Sequence, residues 1–174
     1  PDAVLTFWEN SIDVCARVAE SLGLPGNPVA AVDAARSKVR TRELSAELGL
    51  PSPRAQRVRS LDELFAAAPY VGFPAVVKPE FGASAMGCVR VDSFEELPSI
   101  YSLVRSVVTP EHDGIFRTGN DLLVEEYLDG VEFDVMHHVT HGDTTGDGQL
   151  DHGIIDGKNR YGTGMVEFAR KLRQ

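Results

Sequence analysis

Residues 73–91 read FPAVVKPEFGASAMGCVRV. An apolar run closes on Lys78, small residues fill Gly82-Ala83-Ser84-Ala85-Met86-Gly87, and a second apolar run follows at Cys88–Val91. The pattern predicts strand, glycine loop, strand. Glycine has no Cβ, so such a loop lets backbone N–H groups come close to phosphate oxygens, and a lysine adds a point charge. The stretch lacks the Gly-Lys-Ser/Thr of a P-loop. It also lacks the third glycine and following helix of the dinucleotide fingerprint. On composition alone a plain hairpin turn fits the same residues.

The second informative stretch, residues 122–135, reads LLVEEYLDGVEFDV. It predicts strands at Leu122–Tyr127 and Val131–Val139 joined at Asp129-Gly130, a hairpin signal. Glu125 and Glu126 end the first strand, while Glu132 and Asp134 alternate along the next. Carboxylates at such a crossing can accept hydrogen bonds from a base amino group or ribose hydroxyls. Solvent-facing acids on an antiparallel pair are the plainer alternative.

Upstream, Ile12, Cys15, Val18, Ala19 and Leu22 recur at three- and four-residue spacing, which predicts an amphipathic helix from Asn10 to Leu22. Residues 23–28 form a Gly/Pro connector. A single helix is expected from Val29 to Leu48, stopped by Gly49 and by Pro51 and Pro53. A strand at Ala55–Arg59 follows. Ser60-Leu61-Asp62-Glu63 is a capping box that opens a helix to about Ala68. Ser93-Phe94-Glu95-Glu96 is a second, opening a helix with Phe94, Leu97, Ile100, Tyr101, Val104 and Val107 inward. Residues 110–120 read as a polar loop. Strands meeting both helices and other strands predict an α+β fold.

The chain has 174 residues, 43% hydrophobic and 25% charged, in keeping with a compact soluble protein of one domain or two small subdomains. No apolar run approaches the ~20 residues needed to span a bilayer. The start, Pro1-Asp2-Ala3-Val4, lacks an initiator Met and any signal-peptide pattern, so we expect the segment to lie inside a longer polypeptide. Cys15 and Cys88 make neither a zinc spacing nor a disulfide framework, which points to a reducing cytoplasm. Seventeen basic against 26 acidic residues give a net charge of −9, arguing against nucleic acid as a partner. Arg36, Lys38, Arg40, Arg42, Arg54, Arg57 and Arg59 still cluster locally. They read as a pocket for a small polyanion or as a solvated face.

The two stretches, with the lead-in GLPGNPVAAVDAARSKVRTRELSAELGLPSP, resemble the ATP-grasp superfamily from about Leu22 to Val135. The resemblance implies an ATP-grasp-like α+β fold: residues 1–28 ending a preceding subdomain and linker, 29–128 forming the lid subdomain, and 129–174 starting a second subdomain. It implies ATP gripped between subdomains, and a carboxylate activated as an acyl phosphate for attack by an amine or thiol. By residue match, Lys38 and Lys78 would touch the phosphates, and Gly82, Ser84 and Gly87 would form the flap. Glu125 would face the adenine amino group, the backbone of Glu126, Tyr127 and Leu128 would frame the base, and Glu132 would take the ribose. Arg42 would support the lysine-bearing helix. Within the superfamily the wording is most similar to the animal carnosine synthases, which implies β-alanine and histidine as substrates. The expected partners are amino acids and ATP, with no nucleic acid and no membrane; a homo-oligomer stays open.

The superfamily's magnesium ligands and acyl-phosphate cation belong on a later strand, beyond the matching region. Asp156-Gly157-Lys158-Asn159-Arg160 has suitable residue types at the wrong spacing. Magnesium offsets charge in phosphoryl transfer, so this segment alone is expected not to turn over. In the tail, residues 143–151 fit the first nine places of a calcium loop, but Ile154 stands where a bidentate Glu belongs. His137, His138 and His141 lack a fourth ligand for zinc. The remaining alternatives are a non-catalytic nucleotide-binding module and a calcium-binding one. Val166–Arg173 reads as a short helix.

Overall fold

A computed structural model describes residues 1–118 and 121–130. The strand expected at 131–139, Glu132, Asp134, the tail histidines, the calcium-like loop, the 156–160 cluster and the last helix lie outside the described residues. A first compact unit comprises Pro1–Leu128.

A 3-10 turn at Glu9–Ser11 leads into α1 (Ile12–Ser21). Its buried residues are Ala16 and Ala19, whereas Val18 and Leu22, expected inward, are exposed. Small side chains let α1 lie close to α2 (Val29–Arg36), and Arg17–Asp33 and Arg36–Asp13 ion pairs join the two at 2.8 and 2.9 Å. A Cβ on Gly26 would fall 2.9 Å from Ala19 Cβ, so the connector needs glycine there.

The single helix expected over 29–48 is two helices, α2 and α3 (Lys38–Glu47), broken at Ser37 (φ −88°, ψ 110°). The Ser37 hydroxyl accepts from Arg40 N–H at 3.0 Å, an N-cap that competes with helix continuation. It also donates to the Glu80 carboxylate, so the break is secured from another part of the fold. Gly49, with φ +66°, ends the segment as its position suggested.

After β1 (Ala55–Val58), α4 runs over Leu61–Val71. Ser60 Oγ accepts from Glu63 N–H at 3.1 Å, and the Glu63 carboxylate accepts from Arg59 N–H at 2.8 Å. The helix continues past Ala68, through Pro69, because Leu64, Ala67, Ala68 and Val71 form one buried face whose last anchor lies beyond the proline. Burial of such a side chain is worth about 1.5–3 kcal/mol, enough to offset the lost hydrogen bond. Gly72 (φ +82°) then turns the chain into β2 (Ala75–Pro79).

β3 (Val89–Val91), α5 (Leu97–Val107) and β4 (Leu122–Glu126) complete the unit. The second capping signal is only half used: Glu96 accepts from Asp92 N–H at 2.9 Å, while residues 94–96 form a 3-10 turn. Phe94, expected inward, is 46% exposed and leans on Phe65 with ring centroids 5.0 Å apart. The loop expected at 110–120 contains a 3-10 turn, Gly114–Thr118, which buries Ile115 and Phe116.

The four strands form one antiparallel sheet in the order β1-β4-β2-β3. Strand side chains alternate faces. Val58, Ala75, Val77, Val91, Leu122 and Val124 join Leu64, Leu97, Val104 and Phe116 in the core. The opposite face carries Arg57, Val76, Lys78, Arg90, Leu123 and Glu125, by the register Val76↔Glu125, Lys78↔Leu123 and Val76↔Arg90. Among the described residues no helix is long and apolar enough to cross a membrane.

Candidate functional site

The register sets Lys78 diagonally across from Glu125 on the face away from the core. Lys78 Nζ donates to Glu125 Oε1, and Arg42 Nε from α3 donates to Oε2 at 2.9 Å. The side chains of Glu125, Lys78 and Arg42 are 8%, 15% and 31% exposed. Burial pushes the Glu125 carboxyl up, but the hydrogen bonds and charges of Arg42 and Lys78 outweigh it and hold the carboxyl below its ordinary 4.5. Arg42, expected to support the lysine-bearing helix, reaches from α3 across to β4.

Lys38 opens α3. Its backbone N–H meets Glu80 O at 3.2 Å, and its ammonium donates to Gly82 O at 3.1 Å and Glu80 O at 3.4 Å. Among the described residues it has no carboxylate within ion-pair distance. Burial lowers its pKa from the ordinary value; the nearby Cys88 raises it and the Lys78 charge lowers it further. The two lysines expected to act together therefore share one neighbourhood.

The glycine loop has anchored ends and an open tip. A Cβ on Gly82 would come within 3.1 Å of Pro79 and 3.5 Å of Phe116; one on Gly87 (φ +71°) would meet Val108 at 3.2 Å and Pro79 at 3.3 Å. Ser84 and Ala85 at the exposed tip adopt φ 53° and 56°, and the turn is closed by Met86 N–H to Ala83 O at 3.0 Å. Left-handed backbone at two non-glycine residues stores strain of order 1 kcal/mol each.

The hinge differs in detail from expectation. Glu126 N–H donates to Arg54 O at 2.9 Å and Tyr127 N–H to Pro74 O at 3.1 Å, so neither donor is open to a base. Among the described residues only the Leu128 N–H of these three lacks a partner. The Glu126 carboxylate is paired with Arg54 at 3.3 Å, and Arg90 stacks over the Tyr127 ring at 4.4 Å.

The basic cluster is largely neutralised. Arg36 pairs with Asp13, Arg40 with Glu43 and Glu47, Arg57 with Glu80, and Arg59 with Asp121. Buried Glu80, which sequence reading missed, takes both Ser37 and Arg57 on one oxygen while its carbonyl holds Lys38. No local signal marks it, since its partners are remote in the chain. A cavity of about 480 Å³ opens between α3 and β1, lined in part by Arg42, Arg54 and Arg57. Neither Lys38, Lys78 nor any residue of the glycine loop lines it, so the site is defined by the charge cluster instead.

These groups suit a polyphosphate: an unneutralised ammonium, a transferable one and a small-residue loop. Magnesium is different. Among the described residues no group of three or more His, Cys, Asp or Glu could hold a metal ion.

The Glu125 pairing has an acid signature. A carboxyl whose folded pKa lies below 4.5 contributes full stability above that value and loses it as pH falls through the depressed pKa. The urea midpoint is expected to fall below pH 4.5, and Glu125→Gln to flatten that fall. An identical acid limb in both proteins would show that this carboxylate contributes nothing to it.

No protein-family model matches the chain. Carnosine synthase 1 of Gallus gallus is 35% identical over 147 residues, covering 78% of this chain and 16% of the relative. D-alanine–D-alanine ligase of Pseudomonas entomophila (strain L48) is 30% identical over 118 residues, covering 67% of this chain and 34% of the relative. The L-amino acid ligase crystal structure from Bacillus licheniformis aligns with a TM-score of 0.61 at 29% identity, covering 74% of this chain and 30% of that one. The chain thus spans between about a sixth and a third of the length of these proteins.

Proposed function

Because the chain belongs to the ATP-grasp superfamily, we propose that it is the ATP-gripping portion of a carboxylate–amine ligase working through an acyl phosphate. What supports this reading above all is that Lys38 donates to the Gly82 carbonyl of the glycine loop, held by carbonyl oxygens and, among the described residues, by no carboxylate, with burial lowering its pKa and the Lys78 charge close enough to lower it further. Its charge is unspent and directed at the loop that would cover the phosphates. Lys78 exchanges Glu125 for a phosphate oxygen, and Gly82, Ser84 and Gly87 bring their backbone close. Glu125 accepts from the adenine amino group, Leu128 N–H donates to the ring and Glu132 takes the ribose. Bound ATP supplies the phosphoryl group that activates the carboxylate substrate. Magnesium would offset charge in the transfer, and its ligands are expected beyond the matching region; the described residues are assigned the binding and orientation of ATP.

For the substrates we favour β-alanine and L-histidine, on the identity to the chicken carnosine synthase. The experiment titrates the chain with ATP by calorimetry, then measures ADP release with β-alanine plus histidine and, separately, with D-alanine. Binding without turnover is expected. No ATP binding would overturn the reading, turnover by this chain alone would overturn its incompleteness, and turnover with D-alanine only would overturn the substrate assignment.

A further inference from the structure

Two cations hold one buried carboxylate in this structure, one on each oxygen. Lys78 takes Glu125 Oε1 and Arg42 takes Oε2. Their chemistry differs. Lys78 is a point charge on a flexible stem, whereas Arg42 engages through Nε of a rigid planar fork. Resting on the ATP reading above, we propose that Arg42 is a positioning residue for base selection. It stays on Oε2 when Lys78 leaves for the phosphates, keeping Glu125 ionised and its vacated Oε1 aimed at an amino-bearing base.

An ionised carboxylate only accepts hydrogen bonds, so it matches the amino group of adenine and repels the oxo group of guanine at the same position. A protonated carboxyl can donate and would satisfy either base. Which form is present after Lys78 departs depends on the charges still facing Glu125. From α3 these are Arg42 and the more distant Lys38. From β2 there is Lys78 alone. On β1 the residue opposite is Ala55, and Arg57 of the same strand is spent on Glu80. On β3, Arg90 shares the cross-strand row through Val76 but is engaged by Asp92 at 2.7 Å and Tyr127. Among the described residues Arg42 is therefore the charge that directly bonds Glu125 once Lys78 has moved. Without it, burial of the carboxyl favours protonation.

The test compares ATP and GTP affinities of the chain and of Arg42→Met, Arg42→Gln and Arg42→Lys over a pH series, with unfolding midpoints as a check on the fold. The parent is expected to prefer ATP, with an ATP-to-GTP ratio that does not depend on pH above 4.5, the ordinary carboxyl value. Arg42→Met and Arg42→Gln are expected to lose about tenfold of the ATP-to-GTP ratio, the loss growing as pH is lowered in that range. Arg42→Lys is expected to keep the parent's ratio and flat profile. If Arg42→Met does not fold, Arg42→Gln, which keeps a donor without the charge, decides. Equal losses for both nucleotides with an unchanged ratio and flat profile would make Arg42 merely structural and overturn the proposal. Failure of the parent to bind ATP at all would instead refute the nucleotide reading beneath it.

Discussion

Lys78→Met is expected to weaken ATP binding by about 3 kcal/mol, roughly 150-fold, while leaving the fold intact. Methionine keeps the unbranched stem on the half-buried sheet face but has no ammonium. Glu125 retains Arg42 at 2.9 Å, so removing Lys78 does not strand a buried charge. The cost accordingly falls on the ligand. Because Lys78 meets the phosphates in this reading, calorimetry should find the loss largest for ATP, smaller for ADP and smallest for AMP. Equal losses across the three would place Lys78 on the base or sugar. Unchanged ATP affinity would remove the lysine from the site altogether.

Phe116→Ala is expected to cost about 3–5 kcal/mol, a large share of the stability of a small unit. Phe116 is 1% exposed and is among the largest fully buried side chains described. It also lies beneath the glycine loop, where its Cε1 sits 3.5 Å from the Cβ position of Gly82. Truncation therefore opens a void that both the core and the loop base must bridge. Urea unfolding should show the lower midpoint, and amide exchange over residues 80–88 should quicken more than over β1. A loss under about 1 kcal/mol would mean that the turn collapses to fill the space and that the loop needs no such support.

Phe116 also shows why part of the fold was hidden. It sits in a segment of mixed polarity with no helical or strand period, so local pattern assigns it to a polar loop. The Val29–Leu48 segment misled in the opposite way. Its composition favours helix throughout, and the serine that breaks it is an ordinary residue until Glu80, 43 positions away, accepts its hydroxyl. The arginines repeat the lesson. A run of seven cations reads as a positive surface, yet folding gives six of them carboxylate partners and leaves Lys38 on backbone carbonyls.

Sequence by itself determined the features that depend on near neighbours. These are the strand carrying Lys78, the glycine loop, the Ser60 cap, the Gly49 stop and the acids closing β4, since periodicity, capping and freedom at positive φ act within a few residues. Only the tertiary structure decided which charges remain available. Arg42 and Glu125 are 83 positions apart, and the pairing that fixes their protonation and direction exists only when α3 lies against the sheet and water is largely excluded.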